Sequence, residues 1–228
     1  MATDAAANTP DPARSYLTPY EQAVRVHGAS FEATLWASKD KQVGRFDVIA
    51  QMLDFSDRVI VDAGCGLADF AAHLQERGVR YEAYVGIEGV EQMARAAGAR
   101  KLPRCEILHA DFAGDKGYFK QLAADHPYDV VVFSGSLNTF DAKSARAIVR
   151  RAWKHARVGV AFNFLSRRHD RPPGEDTGPA RRFNPAPMVA WALRRTPNVL
   201  FRQDYFQGHD ATIVMVRPMS GDPPGSAA

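Results

Sequence analysis

From position 58 onward, short apolar runs alternate with longer stretches in which apolar residues recur every three or four positions. The short runs read as strands over 58–62, 81–87, 105–109, 128–134 and 158–164, and the longer stretches as helices over 67–77, 90–97, 115–125 and 142–155. The fourth run, Tyr128-Asp129-Val130-Val131-Val132-Phe133-Ser134, carries apolar residues in both phases, as a strand covered on two faces requires. Strict alternation of this kind predicts an α/β fold, a parallel sheet with helices on both faces joined by right-handed crossovers.

The two ends depart from that rhythm. Residues 16–53 read as helical, with Phe46, Ile49, Met52 and Leu53 at helix spacing and able to cover the sheet. After a Pro- and Arg-rich loop over 167–179, a helix is expected near 187–195 and two strands over 199–206 and 212–217. The short link Gln207-Gly208-His209-Asp210-Ala211 makes these last two a hairpin, so one terminal strand runs antiparallel to its neighbours. No internal repeat is visible. Residues 16–218 are expected to form a single domain with a helical extension over 16–56, between disordered tails at 1–15 and 219–228.

Composition narrows the class. The 228 residues are 46% apolar and 24% charged, ordinary for a globular protein, and no apolar run approaches the roughly 18 residues of a membrane span. The start is small and polar, without the basic and apolar pattern of a signal peptide. Two cysteines, Cys65 and Cys105, suggest reduced thiols in a cytoplasm, and no Cys/His pair has metal-site spacing, so no metal is expected. The net charge of +3 hides an asymmetry: residues 143–202 hold 14 Lys/Arg against 3 Asp/Glu. That segment, with its pairs Arg150-Arg151, Arg167-Arg168, Arg181-Arg182 and Arg194-Arg195, reads either as solvated surface or as a site for an anionic substrate, a nucleic acid or an acidic protein.

The chemistry concentrates in Val59-Ile60-Val61-Asp62-Ala63-Gly64-Cys65-Gly66-Leu67-Ala68-Asp69-Phe70, a strand entering a glycine loop and then a helix. Such a loop lets a ligand approach the backbone at a helix N-terminus, where unpaired N–H groups favour negative charge. Ligands of open parallel sheets bind beyond the C-terminal strand ends. There this chain sets Asp62 and the loop after the first strand and Glu88 after the second, 24 residues beyond Gly64 and placed to hold both hydroxyls of a ribose. Asp111-Phe112 follows the third strand, suited to an adenine amino group and ring face. Ser134-Gly135-Ser136, with short side chains, follows the fourth.

With these motifs in place, the chain resembles the class I S-adenosylmethionine-dependent methyltransferases over about residues 45–217, through Val-Asp-Ala-Gly-Cys-Gly, Gly86-Ile87-Glu88, Ala110-Asp111-Phe112 and Tyr128-Asp129-Val130-Val131. It looks most like a bacterial branch in which a segment like Gln42-Val43-Gly44-Arg45-Phe46 precedes the first strand. The resemblance implies a Rossmann-like seven-stranded sheet with an antiparallel terminal hairpin strand. It also implies S-adenosyl-L-methionine as cofactor and S-adenosyl-L-homocysteine as product. Carried over residue by residue, Asp62, Gly64, Cys65 and Gly66 shape the loop around the methionine portion, Glu88 holds the ribose, Asp111 and Phe112 the adenine. Ser134 lies by the sulfonium, and Arg45 pairs with the cofactor's carboxylate. Ala68 stands where the family often has a third glycine, which raises the alternative of a non-catalytic cofactor-binding protein.

The acceptor is less legible. The Asn/Asp-Pro-Pro-aromatic motif of amino-group and amide methyltransferases is absent after strand four, as is a Pro-Cys pair, which disfavours those two classes. A small metabolite methylated at oxygen or nitrogen is the favoured acceptor, anionic if the basic segment serves it. A nucleic acid or protein acceptor is the alternative. No catalytic residue is evident; Asn138 and His169 are the candidates for orienting an acceptor and acting as base. Tyr20, Trp36, Asn138, Arg181 and Arg182 are the candidate substrate contacts, the first two as a lid. A nicotinamide-dependent oxidoreductase is the rival enzyme, but its fingerprint wants glycine at Asp69 and gives no reason for the hairpin.

Overall fold

A computed structural model describes residues 14–170 and 177–218. Residues 1–13 of the tail expected over 1–15, the tail expected over 219–228, and residues 171–176 of the Pro- and Arg-rich loop lie outside them. Among the described residues eight strands form one sheet: β1 (Val59–Ala63), β2 (Ala83–Glu88), β3 (Cys105–His109), β4 (Val130–Phe133), β5 (Gly159–Ser166), β6 (Arg182–Phe183), β7 (Val199–Arg202) and β8 (Asp210–Val216). The order is β3-β2-β1-β4-β5-β8-β7, with β6 pairing on β5. Strands β1 to β5 are parallel, whereas β8 runs antiparallel to both β5 and β7. The order reverses between β1 and β4, and the crevice at that switch point lies at their C-terminal ends.

The helices are α1 (Thr18–His27), α2 (Lys39–Met52), α3 (Asp69–Glu76), α4 (Glu91–Ala99), α5 (Tyr118–Asp125), α6 (Ala142–His155) and α7 (Pro185–Leu193). Period-two alternation splits the strands between two cores. Ile60, Tyr84, Val130, Val132, Ala161 and Val214 point to one face, under Phe46, Ile49, Phe70 and Leu74 of α2 and α3. Val61, Val85, Val131, Phe133, Val160, Phe162 and Ile213 point to the other, under α5, α6 and α7. Local chemistry sets the helix starts: the Asp141 carboxylate accepts from the Ser144 N–H at 2.7 Å to cap α6, and Asn184 caps α7 ahead of Pro185.

The stretch read as helical over 16–53 is two helices and a short 3-10 turn, Phe31–Thr34, because Gly28 and Leu35 take left-handed conformations (φ 69° and 59°). The two-residue strand β6 has too little pattern to be read from sequence. Strand β7 stops at Arg202, and a 3-10 turn, Phe206–Gly208, fills the hairpin link. Among the described residues no helix is long and apolar enough to cross a membrane.

Candidate active site

A cleft enclosing about 1110 Å³ of space, part of it open to solvent, lies over the C-terminal ends of β1, β2 and β4. Its floor is the glycine loop. Gly64 (φ 83°) turns the chain so closely over the loop after β4 that a Cβ would come within 2.4 Å of the Ser136 side chain, so any other residue would displace that loop. The Cys65 side chain packs on Gly86 of β2, where a Cβ would lie 2.7 Å from the sulfur. Burial raises the Cys65 thiol well above its ordinary value, so it is an inert packing group.

The loop differs from the anion site expected of it. The N–H groups of Gly64 and Cys65 both donate to the Ile87 carbonyl (2.8 and 3.0 Å), and that of Gly66 donates to Glu88 Oε2 at 2.9 Å. With these donors spent, the loop offers no cradle for a pyrophosphate; the physical reason is the acid at the end of β2, which takes the loop's third N–H for itself. Glu88 Oε1 accepts from the Val90 N–H at 2.8 Å, leaving each carboxylate oxygen a further lone pair toward the cleft.

The floor is acidic. Asp62 is buried, its Oδ2 accepts from the Tyr84 hydroxyl, and its Oδ1 is buried without a hydrogen-bond partner. Burial pushes its carboxyl up to about 7, against the Tyr84 hydrogen bond, with the Glu88 and Asp69 charges adding to the push. Burial likewise raises Glu88, opposed by the backbone N–H groups that hold it. Two desolvated carboxyls, one with an orphaned oxygen, fit a ligand bringing positive charge and hydroxyl donors. The ammonium and ribose of an adenosyl-methionine cofactor are such groups.

Asp111 and Phe112 line the same cleft. Asp111 Oδ1 accepts from the Ala113 and Gly114 N–H groups (3.1 and 2.9 Å), while the Tyr16 hydroxyl donates to it at 2.7 Å and Arg14 pairs with Oδ2 at 3.2 Å. Phe112 is buried against Phe119 and Phe133 and presents an edge of the core to the cleft. Tyr16, Leu17 and Tyr20 of the N-terminal segment and Thr34, Leu35 and Trp36 of the following turn roof the cleft. Tyr20, whose phenol burial and the Glu88 charge push to about 12, and Trp36, the two candidate lid residues, are both among them.

Arg45 reaches the cleft buried, with its Nη2 ion-paired to Asp210 at the start of β8 and its guanidinium 4.4 Å from the Trp36 ring centre. Its charge is thus balanced inside the protein, and its buried Nε is left without a hydrogen-bond partner. Ser134 and Asn138 line the cleft; Asn138 is buried, and its Oδ1 has no hydrogen-bond partner. Arg181, Arg182 and His169 are not among the described residues that line it. Arg182 donates to the Ser166 carbonyl at 2.9 Å, and the His169 ring packs 6.2 Å from that of His209. Among the described residues no cluster of metal-binding side chains occurs.

Sequence reading missed Tyr16, Tyr84, Asn163 and Asp210. Asn163 and Asp210 carried a signal, since each is a polar residue in an apolar strand; Tyr16 carried none, because its partner lies 95 positions away.

Residues 60–159 match the methyltransferase-domain family. No curated protein sequence matches the chain. Among solved structures, magnesium protoporphyrin IX methyltransferase from Synechocystis PCC 6803, with bound S-adenosylhomocysteine, superimposes with a TM-score of 0.62 at 16% identity, over 90% of this chain and 98% of that one. A complex of DhpI with S-adenosylmethionine gives 0.62 at 14% identity, over 92% and 100%. The small RNA methyltransferase HEN1 gives 0.59 at 12%, over 81% of this chain and 26% of that one. The sheet order, the antiparallel β8 and the domain match agree: residues 60–159 are a methyltransferase domain, set in the fold of the class I S-adenosylmethionine-dependent methyltransferases.

Proposed function

We propose that this enzyme transfers a methyl group from S-adenosyl-L-methionine to an oxygen or nitrogen of a small metabolite, in a reducing, cytoplasmic setting that suits its two free thiols. The bound cofactor would supply a methyl group already activated by its sulfonium; the chain's part is to align the acceptor and exclude water. Asp62 would hold the amino group, Glu88 the ribose, Asp111 and Phe112 the adenine, with Gly64, Cys65 and Gly66 shaping the floor and Ser134 beside the methyl. Arg45 would meet the cofactor's carboxylate through Nε.

The observation that carries the small-molecule reading is the use made of the basic segment. In each of its four arginine pairs, one member donates to a backbone carbonyl of the protein itself. Arg151 binds Phe112 and Ala113, Arg167 binds Arg182, Arg182 binds Ser166, and Arg195 binds Trp191. Such arginines hold loops and helix ends and are poorly placed to track a phosphate backbone. Roofing of the cleft by residues 16–36 also favours a small acceptor over a polymer.

Incubation with tritiated S-adenosylmethionine and a fractionated cell extract tests this reading. The label is expected in low-mass material resistant to nuclease and protease; label confined to RNA, DNA or protein would overturn it.

A further inference from the structure

Beyond the floor that would hold the cofactor, the loop after β4 (Ser134-Gly135-Ser136-Leu137-Asn138) forms the other wall of the cleft. Its hydrogen-bond directions can be worked out. Asn163 of β5 is fully buried, and its Oδ1 accepts from the Gly135 N–H at 2.7 Å. A backbone N–H can only donate, so the orientation of this amide is fixed. The Nδ2 of Asn163, 3.3 Å from Ser134 Oγ, must then be the donor, and Ser134 the acceptor. The single proton of the Ser134 hydroxyl remains for the cleft.

Ser136 is the reverse case. Its hydroxyl donates to the Ala63 carbonyl at 2.5 Å, so toward the cleft it has only lone pairs. Two residues on, Asn138 lines the same cleft, and its buried Oδ1 is an acceptor without a donor. A buried acceptor left unsatisfied is costly, and a ligand that supplies its donor gains accordingly.

This wall therefore offers one donor, two acceptors and no charge. Arg45, the cation that reaches the cleft, is balanced by Asp210, and the floor holds Asp62, Glu88 and Asp111. With Arg45 already paired and the floor taken by the cofactor, an anion in this space would find no free counter-ion among the described lining residues. Trp36, Phe140 and Pro179 give the same space apolar surface.

Resting on the cofactor reading above, we propose that the methyl acceptor is an uncharged small molecule with an apolar body, whose hydroxyl or N–H donates to Asn138 Oδ1 and accepts from Ser134. On transfer, a lone pair of that oxygen or nitrogen bonds the methyl carbon. The sulfur–methyl bond breaks with its electron pair kept on sulfur, and the acceptor's proton passes to water. The reading replaces the anionic acceptor that the basic segment suggested.

Three probes with one ring separate the alternatives: benzyl alcohol, benzamide and benzoate, each followed by saturation-transfer NMR on protein saturated with S-adenosylhomocysteine. The two neutral probes should bind at least about tenfold more tightly than benzoate. Asn138→Ala should weaken both neutral probes by about fivefold, and Ser134→Ala by a smaller factor, with folding checked by circular dichroism. Preference for benzoate, neutral probes that fail to bind, or neutral binding unmoved in both variants would overturn the proposal. Calorimetry of S-adenosylhomocysteine on the wild-type protein separates the two failures: if that titration is silent the cofactor reading falls, and if it gives binding only the acceptor assignment does.

Discussion

The floor of the cleft and its roof are built from different material. The floor is the ends of β1, β2 and β4, braced on both faces by the two large cores, and its loop donors and acid acceptors are tied to one another. The roof, residues 14–36, rests on a small cluster of its own: Ala23, Val24 and Ala33 against Val90 and Met93. Its outer side leaves Val26 75% exposed. A segment with so little buried apolar surface opens at a lower free energy than the sheet it covers. On this difference, the floor should set what binds and the roof how fast it comes and goes.

Glu88→Ala bears hardest on that division. It removes the ribose partner and orphans the Gly66 and Val90 N–H groups together, so cofactor affinity should fall by about 1–3 kcal/mol. Calorimetric titration with S-adenosylhomocysteine reads the loss, and an unchanged affinity would break the account of the floor.

Asp62 gives a pH signature next in size. Its carboxyl is raised in the folded chain from an ordinary 3.8 to about 7. The stability that its neutral form contributes is therefore full below the unfolded value and lost as pH rises through about 7. An ammonium group binds the ionised form, so cofactor affinity should climb between about pH 6 and 8, and Asp62→Asn should flatten the climb. A wild-type profile that falls over this range would contradict the assignment.

The roof should respond differently. Tyr16→Phe breaks the link to Asp111 and should speed S-adenosylhomocysteine release in stopped flow several-fold, with an affinity change of only about 1 kcal/mol. Equal effects on release and on global unfolding would mean that roof and floor open as one unit.

The smallest expected effect is at Ala68, which holds φ 60° while fully buried. Alanine in a left-handed conformation is strained by roughly 1 kcal/mol, so Ala68→Gly should raise the melting temperature by about 2–4 °C. A glycine there that lowered it would show that side-chain packing outweighs backbone strain.

The same division governs how much was legible in the sequence. Strand β3 and helix α6 sit where periodicity put them, and the other expected strands differ at an end by one to four residues, because an apolar pattern is a local property of the chain. Asp62, Glu88, Asp111 and Ser134 were legible as cleft-lining positions because each stands at or just beyond the C-terminal end of a strand whose neighbours the alternation already fixed. The anion-binding character expected of the loop was wrong, since a glycine pattern does not reveal that Glu88 has taken the Gly66 N–H. The roof was half-read: Tyr20 and Trp36 stood out as aromatics, but the Tyr16–Asp111 contact is set by tertiary packing. One member of each arginine pair likewise has a partner the sequence could not show. A charge count records the cations and not the carbonyls that occupy them.

A crystal structure of the protein with S-adenosylhomocysteine tests the central claim most directly. The account predicts the ribose hydroxyls on Glu88 and the amino group on Asp62 Oδ1, beneath the closed residues 14–36. An adenosyl ligand bound elsewhere, or one in this cleft with its ribose away from Glu88, would contradict it.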